Sequence, residues 1–316
     1  MPSEWHEQTF VQMVFPHSKS DWNCCLEEAS KNFEQIISTI AKYQPCLVVC
    51  DDITRVKSFF KETHNIHFVQ EETDDTWSRD ISAITIIEDE LTLLDFRFNG
   101  WGDKFDASKD NSLNKRLLQH NFYQNIAMRS IDFILEGGSI ESDGDGVLLT
   151  TEKCLLNDNR NNNYSKVEIE DKLKKYLQIK KVLWLKHGEL EGDDTDAHID
   201  TLARFAPNNT IIYVDCNEKM KKELESFTNI ENEAYKLLAL PHVEYLFENK
   251  KLPATYANFL IINGAVLVPT YAQDTDQEAL HIIKQAFPDR EVIGIDCQTL
   301  IKQHGSLHCV TMQMYH

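Results

Sequence analysis

The 316-residue sequence lacks the features that mark membrane proteins and proteins of oxidising compartments. No apolar stretch approaches the roughly 18 residues of a membrane-spanning helix. The first residues, Met-Pro-Ser-Glu-Trp-His, have neither the basic segment nor the apolar core of a signal peptide. The eight cysteines show no spacing typical of a zinc or redox motif, so we expect most of them to be reduced and buried. The prediction is a soluble, cytoplasmic protein.

Positive charge is scarce. The chain has 32 Lys and Arg residues against 51 Asp and Glu residues, which gives a formal net charge of −19. Such a surface repels nucleic acid and anionic membranes and attracts small cations. Solubility alone is an alternative reason for the imbalance. We therefore expect no nucleic-acid or membrane partner, and the composition leaves a homo-oligomer open.

A linker is also missing. The Asn-rich run at 157–163 and the turn region at 251–255 are candidates, but neither separates blocks of different composition. With 42% hydrophobic residues, the chain can bury a sizeable core. The prediction is a single domain over residues 1–316.

Residues 191–200 form the densest group of reactive side chains, reading Glu-Gly-Asp-Asp-Thr-Asp-Ala-His-Ile-Asp. In an extended segment, the side chains of His198 and Asp200 point to the same face. There they offer one pocket an acid/base group and a cation-binding carboxylate. The plain alternative is a solvated acidic loop that leads into an ordinary strand.

A second reactive segment, Gly305-Ser-Leu-His-Cys-Val-Thr311, lies at the other end of the chain and carries Cys309. A single cysteine with a distant histidine and carboxylates is the arrangement expected of a thiol nucleophile that the fold brings to its acid/base group. A metal site with His198, Asp200, His308 and Cys309 as ligands is an alternative.

The hydrophobic pattern alternates between strands and helices. Near the N-terminus it predicts a helix at 25–43, a strand at 45–50, a helix at 53–63 and a strand at 66–69. An apolar hairpin pattern then recurs, beginning with strands at 81–87 and 91–96. Later helical patterns at 165–178, 216–227 and 276–286 fall between hairpins.

A polar or reactive residue precedes each of these hairpins. The residues are Asp80, Glu136, His198, Asn258 and, before a last strand with no return, Cys309, at intervals of 51 to 62 residues. Five units of similar length, each with a different polar residue, favour a closed α/β ring over an open stack. A ring would bring the five residues together.

Several motifs stand in a characteristic order along the chain. They are Pro2-Ser-Glu-Trp5 with Pro16-His17 and Trp22, Thr76-Trp77-Ser-Arg79-Asp80, Glu136-Gly-Gly138, Asp193 to Asp200, Tyr256-Ala-Asn258-Phe259, Asn263-Gly264 and Gly305 to Thr311. In this order they resemble the agmatine deiminase family. That family is related to the bacterial peptidylarginine deiminases within the guanidine-modifying, or pentein, superfamily.

The resemblance implies a five-bladed, pseudo-symmetric α/β propeller of ββαβ units around a central pocket. It implies that Cys309 is the nucleophile, that His198 is the acid/base group, and that Asp80 and Asp200 hold the guanidinium. By the same motif match, Glu136 is a further catalytic carboxylate near the guanidinium. Trp77 and Asn258 match pocket residues that bind substrate.

Two positions depart from the family pattern. Relatives commonly have three glycines before the cysteine motif, where this chain has Gln303-His304-Gly305. They also have a glycine before the motif histidine, where this chain has Ala197, a change that we expect to be sterically mild. The first departure lies where a flexible loop could close over substrate, so it bears on specificity.

The implied reaction is hydrolysis of agmatine to N-carbamoylputrescine and ammonia through a covalent amidino-thioether on Cys309, in putrescine and polyamine biosynthesis. It requires no metal or other cofactor. Asp193 and Asp194 are candidates to bind the distal amine of agmatine. The alternatives are free arginine, peptidyl arginine or another alkylguanidine as substrate, amidino transfer to an amine, and a binding scaffold without catalysis.

Overall fold

The computed structural model describes residues 1–123 and 126–315. Its N-terminal elements are β1 (Gln8–Val14), α1 (Leu26–Ile40), β2 (Cys46–Cys50), α2 (Ile53–Lys57) and β3 (Ile66–Gln70). The three strands are parallel neighbours in one sheet, in the order β1-β2-β3. The helix α1 connects β1 to β2, as parallel pairing requires.

Twenty-two further α-helices and β-strands follow in the described part of the chain. They are α3 (Ser78–Ile81), β4 (Ile84–Ile87), β5 (Leu91–Arg97), α4 (Gly100–Asp103), α5 (Asp110–Leu117), β6 (Ala127–Ile134), β7 (Ile140–Ser142), β8 (Val147–Thr151), α6 (Glu152–Leu155), α7 (Lys166–Leu177), β9 (Lys181–Leu185), β10 (Ala203–Ala206), β11 (Thr210–Val214), α8 (Glu218–Glu225), β12 (Lys236–Leu240), β13 (Tyr245–Phe247), β14 (Lys250–Leu252), β15 (Leu260–Ile262), β16 (Ala265–Thr270), α9 (Asp276–Ala286), β17 (Glu291–Asp296) and β18 (Met312–Tyr315).

Four three-stranded sheets share one plan. In β4-β5-β6, β7-β8-β9, β10-β11-β12 and β15-β16-β17, an antiparallel hairpin is followed by a third strand that runs parallel to the second. Helical segments occupy the connection to each third strand. Each unit therefore has the order ββαβ, and β13-β14 is a small additional hairpin.

The N-terminal sheet is completed by the end of the chain. β18 pairs antiparallel with β1, with Met314 opposite Phe10, so the sheet order is β18-β1-β2-β3. The sequence pattern predicted a last strand with no return, and its partner comes from the N-terminus instead. The fifth ββαβ unit is thus assembled from both ends of the chain.

Burial explains why these elements form where they do. α1 is amphipathic and buries Ala29, Phe33, Ile36, Ile37 and Ile40 at helical spacing. β2, whose sequence is Cys-Leu-Val-Val-Cys, is buried at every position, as is typical of a strand covered on both faces. The predicted helix and strand are confirmed here with slightly shorter bounds.

Two predicted elements were too long. The helix predicted at 53–63 ends at Lys57, because the amides of residues 58–60 bond three residues back and this tighter turn buries Phe60. The strand predicted from Ile81 begins at Ile84, because Ser78–Ile81 form one helical turn instead. That turn carries Asp80.

In the described residues, every helix falls short of the length and apolarity that crossing a membrane requires.

Candidate active site

A cavity of about 270 Å³ contains most of the predicted site residues. Seven of the nine line it, namely Trp77, Asp80, Asp193, Asp194, His198, Asp200 and Cys309. A larger cavity of about 890 Å³, formed by the N-terminus and the turns at 143–146 and 207–209, contains none of the nine. The smaller cavity is therefore the candidate active site.

Cys309 lies in the turn before β18, almost fully buried, with 7% of its surface exposed. Its Sγ is 3.8 Å from Asp200 Oδ2 and 3.4 Å from Asn258 Oδ1. Burial, Asp200 and Asp80 raise the pKa of the Cys309 thiol well above its ordinary value. These surroundings favour the protonated thiol over the thiolate.

Asn258 does not line the cavity, although its motif match indicated a substrate-binding residue. Its Oδ1 accepts hydrogen bonds from the backbone amides of His308 at 2.9 Å and Cys309 at 3.3 Å. The side chain is fully buried behind the cysteine. Asn258 therefore fixes the turn that presents the thiol.

Asp200 is fully buried and is charged in spite of that burial. Burial raises its pKa, but the hydrogen bond and charge of His308, with His198 and Arg204, bring the pKa below its ordinary value. His308 Nδ1 lies 2.7 Å from Asp200 Oδ2. Asp200 Oδ1, in contrast, is buried without a hydrogen-bond partner in the described residues. It is an acceptor available to a ligand N–H group.

On the side away from Asp200, His308 contacts a buried ionic cluster of Glu4, Arg204 and Glu141. His308 Nε2 is 2.8 Å from Glu4 Oε1, and Arg204 contacts Glu4 and Glu141. Burial opposes the charge of Glu4, but Arg204, His308 and Arg79 hold its pKa well below the usual range. Glu4, a residue of the N-terminal motif, therefore contacts His308, which in turn bonds to Asp200.

Asp80 uses both carboxylate oxygens. Oδ1 accepts from the amide of Gly138 at 2.9 Å, and Oδ2 accepts from the indole of Trp101 at 2.9 Å. Burial raises the pKa of Asp80, His198 opposes the increase, and Asp200 adds to it. Trp101 also lines the cavity, and no sequence pattern had indicated it.

His198 was predicted to lie in an extended segment with Asp200, and this was wrong. His198 precedes a 3-10 turn at Ile199–Thr201, and this turn directs both side chains into the cavity. Nδ1 of His198 is 3.7 Å from Asp80 Oδ1. Burial lowers the pKa of the imidazole, but Asp80, Cys154 and Glu136 raise it well above its ordinary value.

Gly138 shows how closely these groups approach. A Cβ atom at this position would lie 2.7 Å from His198 Nδ1, 2.9 Å from Asp80 Oδ1 and 3.1 Å from Asp200 Oδ2. Only a residue without a side chain leaves room for all three. This explains the second glycine of the Glu136-Gly-Gly motif.

Glu136, expected near the guanidinium, does not line the cavity. Both of its oxygens accept from Arg160 Nε, at 2.9 and 3.0 Å. Arg160 also donates to Asp196 Oδ2 at 2.8 Å and to the Thr195 carbonyl at 3.0 Å. The Glu136–Arg160 pair therefore anchors the loop that leads to His198, a contact that the motif alone did not indicate.

Trp77 forms one wall of the cavity and packs against Gly305. A Cβ atom at Gly305 would lie 2.1 Å from the indole ring, so only glycine fits there. This contact fixes the loop before Cys309 against the wall.

Two loops meet at the cavity mouth. Asp193 accepts from the Thr195 hydroxyl at 2.6 Å and from the Ala197 amide at 2.6 Å, so it caps its own loop. Asp194 lines the cavity, and burial raises its pKa while His304 opposes the increase. His304 Nδ1 lies 2.7 Å from the Gly192 carbonyl and joins the two loops.

One residue of each departure from the family pattern has left-handed backbone. His304 has φ +66° and Ala197 has φ +64°, conformations that favour glycine. A left-handed L-residue costs roughly 1–2 kcal/mol. The change to Ala197 is therefore less mild than the sequence suggested.

Asp75 is a cavity residue that sequence reasoning missed. Burial raises its pKa to about 7, although its hydrogen bonds to Thr76 and Trp77 oppose the increase. Its place in the Asp75-Thr-Trp77-Ser-Arg-Asp80 segment was the available signal. Asp21 also lines the cavity.

Two buried groups have metal-ligand geometry in the described residues. They are Glu136-Cys154-His198 and Glu4-Glu141-His308. Arg160 contacts the first and Arg204 the second, so each already holds a guanidinium. His198, Asp200, His308 and Cys309, the alternative ligand set, do not converge in that way over residues 1–123 and 126–315.

The chain is similar to known deiminases over nearly its whole length. Residues 1–314 match the family model of the Porphyromonas-type peptidyl-arginine deiminase. The agmatine deiminase of Pseudomonas aeruginosa (strain UCBPP-PA14) is 30% identical, covering 99% of this chain and 94% of that protein. The structure of C. jejuni agmatine deiminase with substrate bound is 39% identical with a TM-score of 0.93, covering 100% and 96%. A candidate arginine deiminase of Porphyromonas gingivalis is 45% identical with a TM-score of 0.93, covering 99% and 97%.

Proposed function

This chain belongs to the Porphyromonas-type peptidyl-arginine deiminase family and has the α/β pentein fold, and on that basis we propose that it hydrolyses agmatine to N-carbamoylputrescine and ammonia. The product is a ureido amine, and we propose that the reaction serves putrescine and polyamine synthesis. The chemistry is that of a hydrolase acting on the C–N bond of a linear amidine.

The charge of the cavity lining carries this proposal. Six carboxylates line it, those of Asp21, Asp75, Asp80, Asp193, Asp194 and Asp200. Among the described residues, none of those in the lining is Lys or Arg. Agmatine is a dication, whereas arginine carries a carboxylate that needs a cationic partner. The site therefore suits agmatine better.

In the first half-reaction, Asp80 and Asp200 hold the forked N–H groups of the guanidinium. The free Oδ1 of Asp200 is the acceptor that supports this assignment. The positive substrate offsets the carboxylates around Cys309 and favours its thiolate, so the thiol proton leaves to solvent and the sulfur attacks the central carbon. His198 donates a proton to the departing nitrogen, and ammonia leaves. The amidino carbon is then bonded to sulfur.

In the second half-reaction, His198 is neutral and accepts a proton from a water molecule that attacks the same carbon. The tetrahedral species collapses, the C–S bond breaks, and the thiol of Cys309 is restored. The overall balance is one agmatine and one water to one N-carbamoylputrescine and one ammonia. Glu136 acts at a distance, through its charge on His198 and its pairing with Arg160.

The distal ammonium of agmatine meets the acidic mouth of the cavity. Asp194 and Asp75 are the carboxylates that we assign to it, since Asp193 is committed to its own loop. Trp77 and Trp101 flank the alkyl chain. Asp193 then acts by holding Asp194 in place.

We further propose that the five ββαβ units form a five-bladed propeller in a single catalytic domain over residues 1–316. Residues that precede the hairpins of different units contribute to one site, which supports this arrangement. Asp80 precedes β4, His198 and Asp200 precede β10, and Cys309 precedes β18. A ring brings such positions together, whereas an open stack separates them.

A colorimetric assay for ureido products tests the function, with agmatine, arginine and a blocked arginine peptide compared side by side. We expect kcat/KM for agmatine to exceed that for arginine by at least about a hundredfold, because the arginine carboxylate meets acidic groups. The Cys309→Ala variant is the blank. Comparable rates on arginine or on the peptide would replace this proposal with a deiminase of that substrate.

A further inference from the structure

In the described part of the chain, one nitrogen of the His198 imidazole has no nitrogen or oxygen hydrogen-bond partner. Nδ1 lies 3.7 Å from Asp80 Oδ1, whereas Nε2 is buried and bonds to none of the described nitrogen and oxygen atoms. A ring nitrogen of His198, the Sγ of Cys154 and a carboxylate oxygen of Glu136 lie within 4.8 Å of one another. Both Glu136 oxygens already accept from Arg160. The thiol of Cys154 is thus the uncommitted polar group beside His198 in the described part of the chain.

The thiol and the imidazole are held in a fixed relation. Cys154 lies in α6 with no exposed surface. The Thr151 hydroxyl accepts from the Cys154 amide at 3.2 Å and donates to the Ala197 carbonyl at 2.8 Å. One hydroxyl therefore ties the turn that carries the thiol to the residue that precedes His198.

We propose that Cys154 is a positioning residue for the acid/base step, its sulfur accepting the Nε2–H of His198. The proton then stays on Nε2 throughout the reaction, and protons are exchanged at Nδ1, on the side of Asp80 and the cavity. Nδ1–H protonates the departing nitrogen first, and the Nδ1 lone pair accepts the proton of water second. This inference rests on the proposed deiminase reaction, in which both steps need the same nitrogen.

A neutral thiol suits this position because of the charges around His198. Asp80 and Glu136 face the imidazole from neighbouring elements. Asp200 lies in the 3-10 turn that follows His198, and Arg160 pairs with Glu136. A further carboxylate would hold the imidazolium too tightly to release its proton. Burial raises the pKa of Cys154, so the sulfur is an uncharged, weak acceptor. It orients the ring without adding charge.

The test compares Cys154→Ala, Cys154→Ser and, as a matched control, Cys46→Ala, which removes an equally buried thiol from β2. We expect Cys154→Ala to lower kcat about tenfold to a hundredfold with little change in KM, since the ring loses a fixed tautomer. The pKa of the alkaline limb of the pH profile should also fall, because the imidazolium loses an acceptor. Cys154→Ser retains an acceptor, so its kcat and the pKa of its alkaline limb should both be close to those of the wild type.

A purely structural role would lower the thermal midpoint of Cys154→Ala and Cys46→Ala alike and move neither pH profile. Nitrogen-15 NMR of labelled histidine supplies a readout besides activity. At a pH above the pKa of the imidazole, it should show neutral His198 with its proton on Nε2 in the wild type and a mixture of tautomers in Cys154→Ala. An unchanged pH profile and tautomer in folded Cys154→Ala would overturn the inference. If instead the wild type does not turn over agmatine, the proposed function fails and the NMR result still decides the role of Cys154.

Discussion

Replacing Asp200 with Asn should make Cys309 more reactive toward a neutral alkylating reagent, although the same change removes a group that holds the substrate. Asp200 is charged and lies 3.8 Å from the Cys309 sulfur. Its negative charge disfavours the thiolate and contributes to the raised pKa of the thiol. Asn has nearly the same shape and can still accept the hydrogen bond from His308.

The expected magnitude follows from that distance. Two unit charges 3.8 Å apart interact by about 4 kcal/mol at an effective dielectric constant of about 20. Since 1.4 kcal/mol corresponds to about tenfold in an equilibrium, relief of even part of this repulsion raises the thiolate fraction substantially. We expect the rate constant for alkylation at pH 8 to rise by at least about tenfold.

The assay follows iodoacetamide labelling of the peptide that contains Cys309 by mass spectrometry, over a series of pH values. Asp21→Asn is the matched control, because Asp21 also lines the cavity, whereas Asp200 and Asp80 are the carboxylates that raise the pKa of Cys309. A dication without an electrophilic carbon, such as 1,4-diaminobutane, should accelerate labelling of the wild type. It should do so less in Asp200→Asn.

Two results would refute this reasoning. One is a labelling rate for Asp200→Asn at or below that of the wild type. The other is a wild-type alkylation pKa well below that of an ordinary cysteine, which would reveal a preformed thiolate–imidazolium pair in the empty site.

Three further predictions concern other parts of the site. Cys309→Ala should abolish agmatine turnover with little change in the thermal midpoint, and residual activity beyond a trace would contradict the nucleophile assignment. Ala197→Gly should raise the free energy of unfolding in urea by up to about 1 kcal/mol, because it relieves a left-handed alanine, whereas Ala206→Gly in β10 should lower it. Asp75 has a pKa of about 7, so its carboxylate forms as pH rises through neutrality, and KM for agmatine should fall over that range in the wild type but not in Asp75→Asn.

Local sequence was enough to locate most helices and strands. The apolar stripe of α1 and the continuous apolar run of β2 depend on residues a few positions apart, so both elements can be predicted from the sequence. The four recurring hairpins could be predicted for the same reason, since the strands of each lie next to one another in the sequence. Motif order added the identity of Cys309, His198, Asp80 and Asp200 as residues of one site.

The tertiary structure decided which groups touch, because the partners are separated by dozens to hundreds of residues. Nothing local places Glu136 against Arg160, Glu4 beneath His308, or Cys154 beside His198. The same holds for β18, whose partner β1 begins some three hundred residues earlier. His198 and Asp200 face one cavity through a 3-10 turn that hydrophobic periodicity does not encode. Sequence thus determined the chemical inventory, whereas long-range packing determined each group's charge, orientation and partner.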